Sequence, residues 1–261
     1  RSIGLFMLRV YTGYLTPNDY GIFSIVTSIT GFLGMFYLLG LNGAVSKYYY
    51  EYEDDEVLFK KFIGTIITTI VIISLILTIF LFGTHKIILD KFIKGISFYP
   101  YMAIGLLTVG FSTLFPIYQS ILQMQHKAEK YALQQFSVFL VTLLLNIVFI
   151  VVIKLGVIGQ LLSALIVSII AFIYAFVVFT KFTKWKINKK IIVRSMKYSM
   201  PLVPHSLAGW ISTLSDRIIL NNLKSTSLVG IYNVGYQFGN IINMVATAVN
   251  SSFIPWFFGI M

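Results

Sequence analysis

Long apolar runs, cut by charges and turn residues, dominate the pattern of this chain. Uncharged stretches run from Tyr20 to Ser46, Phe62 to Thr84, Gly95 to Gln125, Tyr131 to Ile153, Leu155 to Thr180, Tyr198 to Ser215 and Ser225 to Met261. A bilayer core about 30 Å thick needs ~20 helical residues to cross it. Every stretch but one exceeds that length. Tyr198 to Ser215 reaches it only by continuing through Asp216 and Arg217, adjacent opposite charges in an apolar helix. Residues Arg1 to Tyr14 supply about 21 Å of helix, which predicts a first span lacking its start. The pattern therefore predicts eight helices, and a chain that is a fragment.

Composition agrees with that reading. The 261 residues are 57% hydrophobic and only 11% charged, with a mean hydropathy of +0.86. Such a chain is an integral membrane protein rather than a water-soluble domain. Cysteine is absent, which rules out a disulfide framework, a thiol nucleophile and a cysteine metal site within it. The net charge of +11 does not point to nucleic acid, because its lysines gather in loops on one side. If the first span runs outward, one side receives Lys47, Lys60, Lys61, Lys127, Lys130, Lys181, Lys184, Lys186, Lys189, Lys190, Arg194 and Lys197. The other receives Lys86, Lys91, Lys94, Lys154 and Lys224. This asymmetry predicts a cytoplasmic first side and N-terminus. Tyr48, Tyr49, Tyr50, Tyr52, Trp185, Tyr198 and Trp256 then fall near the inner headgroup layer, which suits amphipathic rings.

The basic stretch TKFTKWKINKKIIVRSMK is either a loop or a helix lying on an anionic leaflet. On both readings it divides the chain: a six-helix lobe over residues 1–180, a basic cytoplasmic linker over 181–196, and the first two helices of a second lobe over 197–261. An internal repeat supports the division. A shift of 209 residues lays Gly21, Ile22 and Phe23 on Gly230, Ile231 and Tyr232. Ser24, Ser28, Gly31 and Gly34 then fall on Asn233, Gln237, Asn240 and Asn243, at intervals that keep each set on one helical face. Six spans return the chain to its starting side, so the repeats are parallel. Gly31 and Gly34 suit close helix packing, whereas Gln237, Asn240 and Asn243 suit the wall of a hydrated cavity.

The stretch LTPNDYGIFSIVTSITGFLGMFYLLGLNGAVSKYYYEY, with KYSMPLVPHSLAGWISTLSDRIILNN and VGIYNVGYQFGNIINMVATAVNSSFIPWFF, resembles the bacterial polysaccharide flippases. These form the oligosaccharide-lipid branch of the multidrug, oligosaccharidyl-lipid and polysaccharide exporter superfamily. The likeness spans nearly the whole chain and is sharpest in PLVPHSLAGW, SDRI and the following GIY. It implies an all-α polytopic fold of two parallel-repeat helix bundles around a central cavity, present here as a fragment. It further implies alternating-access movement of an undecaprenyl-pyrophosphate-linked oligosaccharide across the cytoplasmic membrane, for O-antigen, capsule or exopolysaccharide synthesis. A polysaccharide polymerase or glycosyltransferases are the protein partners that this role suggests.

Charged residues within spans mark candidate sites, because charge at the bilayer centre is costly and usually meets a partner or water. The repeat places Arg9 and Arg217 within one residue of equivalence, and two guanidinium forks suit a diphosphate. Snorkelling to headgroups is the alternative. Asp216 is a candidate for ion coupling or for a structural ion pair. Adjacent helical residues point about 100° apart, so Asp216 and Arg217 are expected to serve different neighbours. His205, behind Pro201 and Pro204, is a candidate for inner-gate or headgroup contact, and without carboxylates at ligand spacing it makes no metal site. The run EYEDDE either gates the inner mouth through salt bridges, recruits a basic partner, or is a solvated loop. Pro100 and Pro116 predict kinks. No cofactor or enzymatic activity is expected; an ion-coupled multidrug antiporter and a membrane-embedded glycosyltransferase or polymerase are the competing functions.

Overall fold

A computed structural model describes residues 8–89, 95–183, 187–239 and Ile242. All of the regular structure among them is helical. The elements are α1 (Leu8–Tyr14), α2 (Pro17–Leu38), α3 (Leu41–Tyr52) and α4 (Glu56–Thr84). A π-helical turn, Phe98–Met102, leads into α5 (Ala103–Phe111) and then α6 (Leu114–Met124). Next come α7 (Ala128–Asn146), extended by a π-helical turn at Ile147–Val152, then α8 (Gly156–Phe182), α9 (Lys189–Ser199), α10 (Leu202–Leu223) and α11 (226–239).

Five runs are long and apolar enough to cross a membrane: Pro17–Tyr52, Glu56–Thr84, Phe98–Met124, Ala128–Val152 and Gly156–Lys181. They match the second to sixth expected spans, and with them the protein is an all-α polytopic membrane protein. Leu75, Ile76, Ile79, Leu133 and Leu144 are exposed on their outward faces, an arrangement that hydrocarbon tolerates and water does not. The helix α10 has 22 residues, long enough to cross, but it is more polar and stands outside those five.

Local chemistry sets the helix limits. Thr16 caps α2 through a reciprocal capping box with Asp19, and Pro17 occupies the first turn, where its missing N–H costs nothing. Leu39 and Gly40, with φ of 46° and 69°, end α2 and redirect the chain into α3. Asp55 accepts from the backbone N–H groups of Val57 and Leu58 to start α4. The fourth span breaks at Ser112 and Thr113, four residues before Pro116, whose nitrogen cannot donate to the Ser112 carbonyl. The kink expected there is present.

Two apolar clusters hold the helices together. One joins Ile25 and Val26 of α2 to Leu106 of α5 and Leu161 of α8. The other joins Leu41 of α3, Phe62 and Ile66 of α4, Leu114 of α6 and Phe179 of α8. Polar links fix their register: the Tyr37 hydroxyl lies 3.0 Å from Thr78 Oγ1, and Ser74 Oγ donates to the Gly110 carbonyl at 3.0 Å. A relay of carboxamides, Gln135 to Gln119 to Gln134 to the Tyr174 hydroxyl, crosses α6, α7 and α8. Between helices such bonds keep buried polar groups satisfied where no water is available.

The basic stretch is helical over Lys189–Ser199 and crosses the linker boundary expected at residue 196. Asn188 caps it, accepting from the N–H groups of Lys190 and Ile191. Its Ile191 is buried in the second apolar cluster, so α9 docks on α3 and α4. Arg194 donates to Glu51 at 2.7 Å and lies over the Tyr48 ring, while Lys47 lies 4.2 Å from the Tyr198 ring centre. Glu51 of the acidic run thus meets the linker helix, and Asp55 is spent on a helix cap. Trp185 and Trp256 lie outside the described residues.

Candidate functional site

The helix α10 packs against α2, and Trp210 takes part in the contact. Trp210 Nε1 donates to the Ser28 carbonyl at 2.8 Å, and its ring sits 5.0 Å from that of Phe32. Ser24 and Ser28 are buried, so their part of the small-residue stripe serves packing. At Gly34, an added Cβ would sit 3.4 Å from Val109, and at Gly105 one would sit 2.6 Å from Val26. The stripe on α2 therefore brings α5 and α10 close on different sectors rather than lining one space.

Two turns beyond Trp210, Arg217 points into the junction of α10 and α11. Its side chain is only 4% exposed. Nη1 lies 3.1 Å from Asp216 Oδ1, while Nε and Nη2 approach Asn233 Oδ1 at 3.4 and 3.2 Å. The Tyr236 ring covers the guanidinium face at 4.5 Å, an arrangement that attracts a cation to the negative face of the ring. Asp216, half-exposed, also accepts from the Tyr232 hydroxyl. One turn further along α11, Gln237 donates to the Tyr20 hydroxyl and so ties the second lobe to α2.

Asp216 and Arg217 form the structural ion pair that was one reading of the aspartate, and each also has its own partner on α11, Tyr232 for Asp216 and Asn233 for Arg217. Although their Cα–Cβ directions diverge, the long arginine side chain curls back to the same Oδ1 that accepts from its own backbone N–H. Asp216 can bridge Arg217 and Tyr232 because its two oxygens accept independently.

The other predicted residues are scattered. Arg9 belongs to α1, but its side chain is outside the described set, as is any pairing with Arg217. Asn240 and Asn243 also lie outside the described residues. Gln237 joins the site through Tyr20. His205 is exposed in the first turn of α10, remote in sequence from Arg217 and on the α9 end of that helix. Sequence reasoning did not single out Tyr20, Tyr236 or the pairing role of Asn233. Only Asn233 carried a signal, as the repeat counterpart of Ser24.

Chemically, the centre is a desolvated guanidinium whose partners include the Asp216 carboxylate, the Asn233 carboxamide and the Tyr236 ring face. A guanidinium stays protonated under such burial and presents several donors in a fixed fork, so its partners can exchange while its charge cannot. An oxyanion of suitable geometry can take the place of Asp216 on Nη1, with Tyr232 left to hold the released carboxylate.

Comparison with curated proteins and with solved structures returns no significant match. A family model described as polysaccharide biosynthesis protein matches residues 1–261, the whole chain. The resemblance read from PLVPHSLAGW, SDRI and GIY is therefore carried by the full length of the chain, which belongs to the polysaccharide biosynthesis protein family.

Proposed function

We propose that the protein is a transporter, not an enzyme, and that it moves an undecaprenyl-pyrophosphate-linked saccharide from the inner to the outer leaflet of the cytoplasmic membrane. The observation that carries this reading is Arg217, a cation 4% exposed at the junction of α10 and α11 in a protein of polysaccharide biosynthesis. A buried charge in a membrane protein is expensive unless it has a use there. Pyrophosphate supplies several anionic oxygens, and charge-assisted bonds to a guanidinium are about twice as strong as neutral ones.

In this mechanism the diphosphate displaces Asp216 from Nη1, and Asn233 keeps the Nε edge aligned. Arg9 adds a second cation from the repeat-related helix, while Gln237, Asn240 and Asn243 offer carboxamides to sugar hydroxyls. Asp216, once parted from its cation, provides the ion-coupling step. His205 meets headgroups at the inner end. A polymerase or glycosyltransferases act before and after transport. The basic side of the molecule, with α9, faces the cytoplasm on this reading.

The test is export of lipid-linked saccharide by cells carrying the wild type, Arg217→Ala or Arg217→Lys at matched membrane abundance. Loss of export with alanine, partly regained with lysine, is the expected result. Normal export with alanine would reject substrate binding by Arg217. Drug-stimulated proton release without saccharide movement would instead select the ion-coupled multidrug antiporter, which relies on Asp216.

A further inference from the structure

The linker helix α9 has a second apolar side that its docking leaves open. Ile191, Ser195 and Ser199 recur every four residues and are buried, so this row is the one that meets α3 and α4. Val193, Met196 and Met200 form another row, about 130° around the same helix axis. Val193 and Met200 are 58% and 49% exposed, with Met196 half-buried between them. Two apolar rows on one 11-residue helix exceed what the contact with the protein uses.

Charge and position identify what lies against the open row. Lys190, Arg194 and Lys197 fall on the sector beside it, away from the buried row, and Lys189 stands near its start. Arg194 is engaged by Glu51 and the Tyr48 ring, whereas Lys189, Lys190 and Lys197 are exposed. No acidic residue occurs between Lys181 and Asp216, so this side carries one sign of charge. The helix α8, long and apolar enough to cross the membrane, ends at Phe182, and α10 begins at Leu202. Both ends of α9 are therefore tied at the membrane boundary. At about 16 Å it is too short to cross a core of about 30 Å, so it lies along the surface. Tyr48 and Tyr198, whose rings meet at 5.9 Å between α3 and α9, suit the headgroup depth.

We propose that the open side of α9 docks on an anionic lipid leaflet, with Val193, Met196 and Met200 at the acyl boundary and Lys189, Lys190 and Lys197 on lipid phosphates. A short helix with an apolar row and a lysine rim binds such a surface through buried area and charge together. The leaflet then holds α9 against α3 and α4 from the other side, whatever cargo the protein carries. The test uses the full chain in phosphatidylcholine vesicles with or without ~30% phosphatidylglycerol. No cysteine occurs among the 261 residues, so Val193→Cys and Lys190→Cys each place a single fluorophore on α9. With phosphatidylglycerol present, lipids brominated on their chains should quench the label at 193 about threefold more than the label at 190. Omitting phosphatidylglycerol, or adding about 1 M salt, should lower the quenching at 193 by about half, because salt screens the lysines from the phosphates. Lys189→Gln, Lys190→Gln and Lys197→Gln together should remove that dependence on lipid charge. Equal quenching of the 193 and 190 labels by aqueous iodide would overturn the docking, since the apolar row would then face water. Quenching by brominated lipid that ignores both phosphatidylglycerol and salt would overturn it too, because the lysines would then have no part in the contact.

Discussion

At the scale of single residues, Asn233 decides how firmly Arg217 is held. It supplies an oxygen to Nε and Nη2, which form one edge of the guanidinium. Asn233→Leu removes that acceptor from a buried cation, at a cost of about 1–3 kcal/mol. Thermal unfolding of the purified protein in detergent should show a lower midpoint for Asn233→Leu and recovery with Asn233→Asp. Equal midpoints for all three would mean that Arg217 finds its acceptors elsewhere. What was legible here followed from rule-breaking. Arg217 and Asp216 stand out because charge is rare within apolar helices, and both lie in the site. Tyr20, Tyr232 and Tyr236 gave no such signal, since tyrosine suits headgroup layers and helix contacts alike, and only the packing of α2 against α11 distinguishes their roles.

At the scale of elements, α9 shows how an apolar anchor and a surface charge pair differ. Arg194 and Glu51 remain 52% and 43% exposed, so their pair is screened and contributes about 0–1 kcal/mol. Ile191 is 7% exposed within the second apolar cluster, and truncation of such a side chain costs about 2–5 kcal/mol. Ile191→Ala should therefore release α9 from the first lobe, whereas Glu51→Gln should leave it docked. Limited proteolysis at the lysines of 189–190 reads this directly. Faster cleavage of both variants would make the ion pair the anchor instead. Hydropathy alone marked the second to sixth spans, and Pro116 marked the break in the fourth. It could not locate the turn at Leu39–Gly40, because an apolar leucine in the left-handed region has the same hydropathy as one in a helix. Nor could it choose between a loop and a helix for the basic stretch, where the spacing of Ile191, Ser195 and Ser199 matters only once α3 and α4 provide a surface.

At the scale of the molecule, orientation follows from one helix whose ends can be told apart. The 27 residues of α8 span about 40 Å, more than a hydrocarbon core of about 30 Å. Lys154 precedes this helix, in a turn where it has a φ of 60°, and Lys190 follows it on α9. The two lysines must face opposite sides of the membrane. On the proposed orientation, which puts α9 and its neighbours in the cytoplasm by the positive-inside asymmetry, Lys154 lies outside. Introduced separately, Lys154→Cys should react with an impermeant thiol reagent in intact cells, and Lys190→Cys only after permeabilisation. The opposite pattern would invert the protein, placing the linker helix outside. Reaction of both in intact cells would mean that α8 does not cross, and the parallel relation between the repeats would fail with it. The repeat is the feature of the sequence that reaches furthest into the fold, since one shift both predicts parity across the membrane and pairs Gly21 with Gly230. The match also holds in space: a Cβ on Gly21 would lie 1.9 Å from the Thr226 carbonyl oxygen and one on Gly230 would lie 1.9 Å from the Pro17 carbonyl oxygen, and Pro17 and Thr226 are themselves matched by the same shift.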